Sequence, residues 1–540
     1  MTDNHDDGGR DATGPPPGRE HAIVLGAGIA GMMTARVLAD SYRRVTILER
    51  DVLPAGEHRR GAAQGRHLHG LMERGRQIME TLYPGMTAEL VERGAPQTEL
   101  LATTRWYLSG LRARPTATGM IALLPSRPLL ESVLRARTAA LPGVRVVERV
   151  GAVGLVVAGS GRVTGVRVVS SGVPIEDLLA AADLAASGGP TDDRAAAAPA
   201  PATASVAALA AGPGSGPVPG PGAPAAPAGI AAPAERAVTI TADLVVDATG
   251  RGSRAPEWLT QLGFEAPPEE RNEVNVGYAS RTYRHRPEHL DGDVGVIIST
   301  VPGRNRGGVA CLIEGGRWHV SLSGMLGDHP PTDPGEFEAF AATLAAPDIH
   351  GIITQAEPLD DVVPHRYRGS LRRRYERVDA PPEGFLSIGD AVCSFNPLYA
   401  QGMSVAAQQV EALRDCLRSD EPDLPRRFYT RVTPAIDLVW AMSGNADLSH
   451  PGVEGNRTAR TRLINAYVRR AHVAASRDSA VALAFMRLAN LVDTPDILLR
   501  PAMMARILRP GARPRPAGAG GGGGAGAGGG AGGGSARRKR

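Results

Sequence analysis

Ala22-Ile-Val-Leu-Gly-Ala-Gly-Ile-Ala-Gly-Met-Met-Thr-Ala-Arg-Val-Leu38, followed by Val45-Thr-Ile-Leu-Glu49, decides the fold. A short apolar run predicts a strand, Gly26, Gly28 and Gly31 form Gly-x-Gly-x-x-Gly directly after it, and a helix is expected through about Asp40. Val45 to Leu48 is the second strand. Strand, helix and strand in this order make a βαβ unit with a parallel sheet. The small Ala35, one turn into the helix, lets helix and sheet approach closely. A turn of this kind lets the backbone touch a pyrophosphate at a helix N-terminus. Glu49 lies 18 residues beyond Gly31, where a carboxylate can accept hydrogen bonds from both hydroxyls of an adenosine ribose. Glu rather than Arg there argues for an unphosphorylated ribose. The alternative, a glycine-rich turn with no ligand, leaves the placement of the acid without a reason.

A second motif stands far along the chain: Gly384-Phe-Leu-Ser-Ile-Gly-Asp390, then Phe395-Asn-Pro-Leu-Tyr-Ala-Gln-Gly402, then a helix expected from about Ser404 to Leu417. Asp390, at a strand end, can hold the hydroxyls of a polyol chain. The free amides of the following helix face whatever lies beside Gly402. A plain βα junction with a cap is the alternative here.

Between these motifs the pattern changes. Val274 to Tyr283, Val294 to Val301, Gly308 to Glu314 and Trp318 to Met325 alternate as antiparallel strands do. From Gly402 onward helical periodicity dominates, including Asn465 to Ala475 and Ser479 to Leu491. Of the 40 positions from Ala195 to Ala234, 33 are Ala, Gly or Pro and none is charged. Such a mixture cannot build a packed core, so 172–235 is expected to be a low-complexity insert decorating a hairpin between Arg162–Val169 and Ala237–Thr241. Residues 1–19 read as a disordered leader and 511–540 as a Gly-rich basic tail.

The 540 residues are 42% apolar and 21% charged, as in globular proteins. The formal charge is +4, but the tail alone contributes six cations, Arg513, Arg515, Arg537, Arg538, Lys539 and Arg540, and no acid. The rest of the chain is slightly acidic, which argues against a nucleic-acid partner. Cys311, Cys393 and Cys416 form no disulfide framework, and no apolar run of membrane-spanning length occurs, so the expected location is cytoplasmic. Lys539 is the sole lysine, which removes Schiff-base chemistry and the Walker P-loop.

With both motifs in place, the sequence resembles the FAD-dependent monooxygenases of the para-hydroxybenzoate hydroxylase fold family across nearly all of residues 20–420. The resemblance implies an α/β fold in which a Rossmann-like FAD-binding domain (20–171 and 236–272, with 380–420) is interleaved with an antiparallel-sheet substrate domain (273–379). A C-terminal helical region (421–510) follows. In that family Val245-Val-Asp-Ala-Thr-Gly-Arg-Gly-Ser-Arg254 stands where a third fingerprint lines the flavin domain. His58 to His69, Asp247 to Arg254 and Asn396 to Met403 look closest to polyether-type polyene epoxidases and related natural-product monooxygenases, although residue 400 is Ala where Gly is usual.

The resemblance assigns FAD contacts to Gly26, Gly28, Gly31, Glu49, Arg50, Arg127, Asp390, Pro397, Gly402 and Met403, with Arg127 near the pyrophosphate or ribityl chain. His67 and Tyr399 are the candidates for a catalytic role. His67 and His69 are placed near the flavin, where an imidazole can orient substrate or shuttle a proton, or be an ordinary loop histidine. Tyr278, Trp318 and Tyr399 are candidate pocket walls or core aromatics. With His58, these histidines lack the Cys or paired carboxylates of a metal site, and none is expected.

The implied reaction transfers one oxygen atom of dioxygen, through a flavin C4a-hydroperoxide, to a small hydrophobic natural product by epoxidation or hydroxylation. NADPH or NADH is the implied reductant, directly or through a separate flavin reductase. Flavin halogenases share the fold but need a lysine and a Trp-x-Trp-x-Ile-Pro stretch, both absent here. The remaining alternatives are a non-redox cyclase that keeps FAD as a structural cofactor, and a binding protein without flavin.

The Ala/Pro/Gly composition generates a first prediction. Replacing Thr191 to Ala234 by a short Gly/Ser linker leaves the melting temperature within experimental scatter, because the removed stretch cannot bury enough apolar surface to offset its ordering. A drop measured by thermal unfolding would show that the stretch packs.

Overall fold

The computed structural model describes residues 19–54, 63–186, 237–419 and 421–510. His58, the leader up to residue 18, the Ala/Pro/Gly-rich 187–236 and the tail from 511 lie outside the described residues. The first strand, His21–Leu25, is fully buried. It pairs in parallel with Arg44–Leu48 on one side and Leu244–Asp247 on the other. Phe385–Ser387 and Val144–Val147 complete a five-stranded sheet, likewise in parallel. Helices Ile29–Ala39 and Gly402–Leu417 pack beside it, and their apolar faces share one core with the strands. The fold is thus α/β with a Rossmann-like domain, an antiparallel sheet interleaved with it and helices at the C-terminal end.

Eight strands form that second sheet, in the order Cys393–Ser394, Val363–Arg373, Glu269–Arg284, Arg317–Gly324, Arg306–Ile313, Gly295–Ile298, Thr104–Leu108 and Leu111–Arg112. Three of these strands come from outside 273–379, and the long central strand starts at Glu269. The expected boundary is corrected accordingly. Gly295–Ile298 needs a partner on its outer side, and Thr104–Leu108 supplies it in parallel from far upstream. The sheet's two faces differ, as the two-residue side-chain period allows. Ala279, Val320 and Leu322 bury against helices Pro334–Ala342 and Asp348–Gln355, through Phe337, Ile349 and Ile352. Tyr278, Ser321 and Ser323 point the other way, into a cavity, and Ser280 shares their face of the sheet.

Val163–Ser170 and Val238–Thr241 pair antiparallel across the long insertion. The reading of 172–235 as loop throughout is corrected at its start, where Ile175–Ala186 is a helix. Ile175, Leu178, Leu179 and Ala182 recur at helical spacing and pack on the core, and Arg145 Nη1 meets Asp183 Oδ1 at 2.5 Å. Ala-rich composition masked this amphipathic period. Trp318, read as either a pocket wall or a core aromatic, is core: it is fully buried on the helix-covered face, with Nε1 donating to His289 Nδ1 at 3.3 Å. Among the described residues no helix is long and apolar enough to cross a membrane.

Ile175→Asp tests the packed helix. Burying a carboxylate at a position only 3% exposed is expected to cost about 2–4 kcal/mol, seen as a fall of several degrees in melting temperature. An unchanged value would place the side chain in solvent.

Candidate functional site

The glycine-rich turn works by close backbone contact. Gly26 has φ +96°, and a Cβ on it would meet the Ala248 carbonyl oxygen at 2.8 Å. A Cβ on Gly31 would overlap the Gly26 carbonyl oxygen. These contacts bring the chain at 248–250 against the first turn. From the other side comes Gly389 (φ +67°), whose added Cβ would lie 2.8 Å from Ala30 Cβ. The two sequence motifs, more than 350 residues apart, therefore touch. Gly28 is the N-cap of helix Ile29–Ala39, which has no side-chain cap and no acid in its first turn, so its leading amides are open to an anion.

Glu49 is buried at the end of the second strand. Its Oε2 accepts from Ala27 N at 2.8 Å and its Oε1 from Asp51 N at 3.1 Å. Arg50 is exposed beside it. Arg127 begins helix Arg127–Ala139, which Ser126 caps, and its Nε donates to Glu131 Oε1 at 2.7 Å. Asp390 sits in the 3₁₀ turn Gly389–Ala391 after the strand Phe385–Ser387. Burial raises its carboxyl above the ordinary range, against the pull of the Arg127 and Arg251 guanidiniums. Helix Gly402–Leu417 starts two residues earlier than expected, also without a side-chain cap or an acid in its first turn. A Cβ on Gly402 would lie 3.9 Å from Asp390 Oδ1, its nearest neighbour.

All ten of the expected cofactor contacts except Gly31, together with His67 and Tyr399, line one cavity of about 2370 Å³. Gly31 instead sits beneath the turn. The cavity's other lobe is apolar, walled by Trp106, Leu108, Met442, Tyr467, Phe485 and Leu498. Sequence reasoning did not find this lobe's C-terminal wall, since a helical stripe facing a cavity reads like one facing a core.

His67 lines the cavity beside the antiparallel sheet. Its Nδ1 lies 2.7 Å from Ser280 Oγ, which lies 2.5 Å from Ser321 Oγ, and Ser321 Oγ accepts from Leu68 N at 3.2 Å. Ser280 and Ser321 are cross-strand partners, as are Tyr278 and His365. His365 stacks obliquely 5.2 Å from His67. Burial lowers the His365 pKa, and burial with the nearby Arg127 charge lowers that of His69 to about 3, so both rings are neutral at pH 7. Polar residues two apart in strands were the available signal for Ser280 and Ser321.

Tyr399 is engaged elsewhere. Its hydroxyl donates to Asp447 Oδ1 at 2.8 Å, and Asn396 Nδ2 donates to the same oxygen at 2.8 Å. Asp447, at the end of helix Leu424–Asp447, thereby anchors the turn Asn396–Gln401 to the cavity wall. Ala400 in that turn has φ +53°, the left-handed region that glycine, usual here in the resembled group, adopts without strain. In the third fingerprint, Asp247 is fully buried and accepts from Thr249 N (3.0 Å) and from the Thr249 and Ser253 hydroxyls (both 2.5 Å). Thr249 thus caps a strand end, while Arg251 stands 4.7 Å over the Tyr367 ring at the cavity.

No protein-family model matches the chain. Among solved structures, a probable FAD-dependent monooxygenase, PqsL of Pseudomonas aeruginosa, matches at TM-score 0.54 and 14% identity, over 80% of this chain and 97% of its own. The Diels-Alderase PyrE3 of pyrroindomycin biosynthesis matches at TM-score 0.52 and 16% identity, over 88% and 81%. The fold is therefore that of the FAD-dependent monooxygenase class. Protein Rv3254 of Mycobacterium tuberculosis is 32% identical over 443 residues, 80% of this chain and 81% of its own length, and the chain belongs to the same family.

Asp447 carries a pH prediction. Burial lifts its carboxyl to about 6 against the hydrogen bonds from Tyr399 and Asn396, above the unfolded value near 3.9. Stability linked to this proton is full below about pH 4 and lost as pH rises through about 6. Asp447→Asn cannot ionise, so its stability relative to wild type is expected to climb by up to about 2–3 kcal/mol between pH 4 and pH 7. Thermal unfolding at several pH values checks this; a flat difference would mean that the carboxyl ionises freely.

Proposed function

We propose that the protein is an FAD-dependent monooxygenase that inserts one oxygen atom of dioxygen into a small hydrophobic natural product, by epoxidation or hydroxylation. The observation carrying this reading is the convergence of both motifs on one cavity that also has an apolar lobe. The residues fit the cofactor. The open amides beyond Gly28 suit its pyrophosphate, Glu49 its adenosine ribose, and Asp390 with Arg127 its ribityl and phosphate region. Buried Gln401 Oε1, on the cavity wall, meets no hydrogen-bonding partner among the described residues, as a group awaiting a ligand does. Pro397, in the turn Pro397–Tyr399, and Gly402 and Met403, at the start of helix Gly402–Leu417, suit the ring system, whose negative charge on reduction the helix amides would stabilise.

Bound FAD would supply the activation of dioxygen. The chain's own part is to exclude water and hold the substrate. The apolar lobe does both, and His67, held by Ser280, is positioned to orient a polar group of the substrate or pass a proton. The likeness of Asn396 to Met403 to polyene epoxidases supports an unsaturated polyketide-like substrate. NADPH or NADH would reduce the flavin, directly or through a separate reductase. The Diels-Alderase on this fold supports a second reading, a non-redox cyclase retaining FAD.

Purified protein is expected to be yellow, with one FAD per chain released on denaturation. Labelled dioxygen with NAD(P)H is expected to add one labelled oxygen to a member of a polyketide, terpene and aromatic panel, read by product mass. Cyclised product without label or reductant consumption would favour the second reading, and a colourless protein would sink both. Asp390→Ala is expected to weaken FAD binding roughly tenfold or more, by loss of a hydrogen-bonded charge. Gly402→Val is expected mainly to lower the flavin reduction potential, since its added methyls approach the ring side. FAD loss with an unchanged potential in Gly402→Val would remove this helix from the ring.

A further inference from the structure

Eight large apolar residues are exposed among the described residues, and four of them, Leu463 (71%), Leu499 (56%), Leu508 (43%) and Met504 (36%), line the same cavity. Scattered exposed leucines need no explanation, but half of them around one opening do. They lie on helix Ala459–Ala475 and on the segment 496–508 beside it. Tyr467 Oη donates to Leu498 O at 2.5 Å, and Arg477 Nη2 to Arg509 O at 2.6 Å, which holds the two side by side. Inward, the strip continues into the apolar lobe through Tyr467, Phe485 and Leu498.

The same helix carries Arg460, Arg462, Arg469 and Arg470 and no acid. These four, with Arg500 and Arg509, have no carboxylate within ion-pair distance among the described residues, whereas Arg487 and Arg506 are paired with Asp493 and Asp478. Past Pro510 the sequence adds six further cations and no acid. Exposed apolar side chains beside arginines that lack an ion-pair partner, with Arg460, Arg462 and Arg469 on the cavity lining itself, are the composition of a surface that meets anionic lipid, where apolar groups enter the headgroup boundary and cations meet phosphates.

We propose that this opening docks on an anionic lipid bilayer. Leu463, Leu499, Met504 and Leu508 enter the headgroup boundary and the surrounding arginines pair with lipid phosphates. An apolar compound dissolved among the acyl chains then reaches the cavity without crossing water. A protein partner is the weaker fit, because the leucines surround an opening rather than line a groove that a partner's side chains could fill. The proposal rests on the surface and stands whichever reaction the cavity performs.

Co-sedimentation of the full chain with vesicles tests it. Binding is expected to phosphatidylcholine vesicles containing about 30% phosphatidylglycerol, to fall between about 0.05 M and 0.5 M salt, and to be weak on phosphatidylcholine alone. Leu463→Asp with Leu499→Asp is expected to weaken binding roughly tenfold or more, at an unchanged melting temperature because both side chains are exposed. If that double variant does not fold, Arg460→Glu with Arg469→Glu carries the test, with a comparable loss expected. Absence of binding to anionic vesicles overturns the proposal. So does binding that survives the leucine substitutions, which would leave it to the cationic tail alone. A dimer that the same substitutions split, without vesicle binding, gives the face to a second copy and overturns it too.

Discussion

Backbone packed on backbone at one turn holds this molecule in register. Gly31 leaves no room for a side chain above Gly26, Gly26 none below Ala248, and Gly389 none beside Ala30. Protein interiors do not absorb overlaps of this size, so a side chain at any of these positions would part the segments. Three pieces of chain, 21–31, 244–250 and 385–402, meet only because those side chains are missing. Their meeting leaves two uncapped helix N-termini, those of Ile29–Ala39 and Gly402–Leu417, at one cavity.

The second sheet takes its role from that junction. One face is spent on an apolar core with two helices, and the other presents a row of hydroxyls and imidazoles to the cavity. His69 and His365 are neutral at pH 7, so these two rings offer hydrogen bonds without positive charge. Asp390 meets the Arg127 and Arg251 guanidiniums on another part of the cavity wall. A polar, charged lobe and an apolar lobe in one enclosure suit a chemistry in which a bound cofactor does the difficult step and the protein controls access.

Much of the candidate site was legible because its parts are local. Gly26 to Gly31 and Asn396 to Gly402 each form a turn and a helix start whose consequences follow from neighbours in sequence. Ser280, Ser321, His365 and Asp447 were not legible in the same way. Each acts through a partner more than 40 residues away, and beyond the alternation of polar residues around Ser280 and Ser321 nothing in the local sequence distinguishes it from a solvated side chain. Helix Ile175–Ala186 was missed for a different reason: its apolar period is real, but it abuts a stretch whose composition dominates any window drawn across it.

The sequence by itself determined the parallel βαβ start, the antiparallel middle and the helical end, because side-chain period and glycine placement set local geometry. It also picked out Glu49, Arg127, Asp390 and Gly402, which the structure brings to one cavity. Tertiary structure alone decided that Thr104–Leu108 would extend the antiparallel sheet, that Trp318 would be core, and that Tyr399 would be held by Asp447. It alone decided too that helix Ala459–Ala475 would close one side of the cavity while leaving Leu463 in solvent. These outcomes depend on which surfaces find each other across long loops, and the free energy of such contacts belongs to the pair of surfaces and not to either stretch of chain.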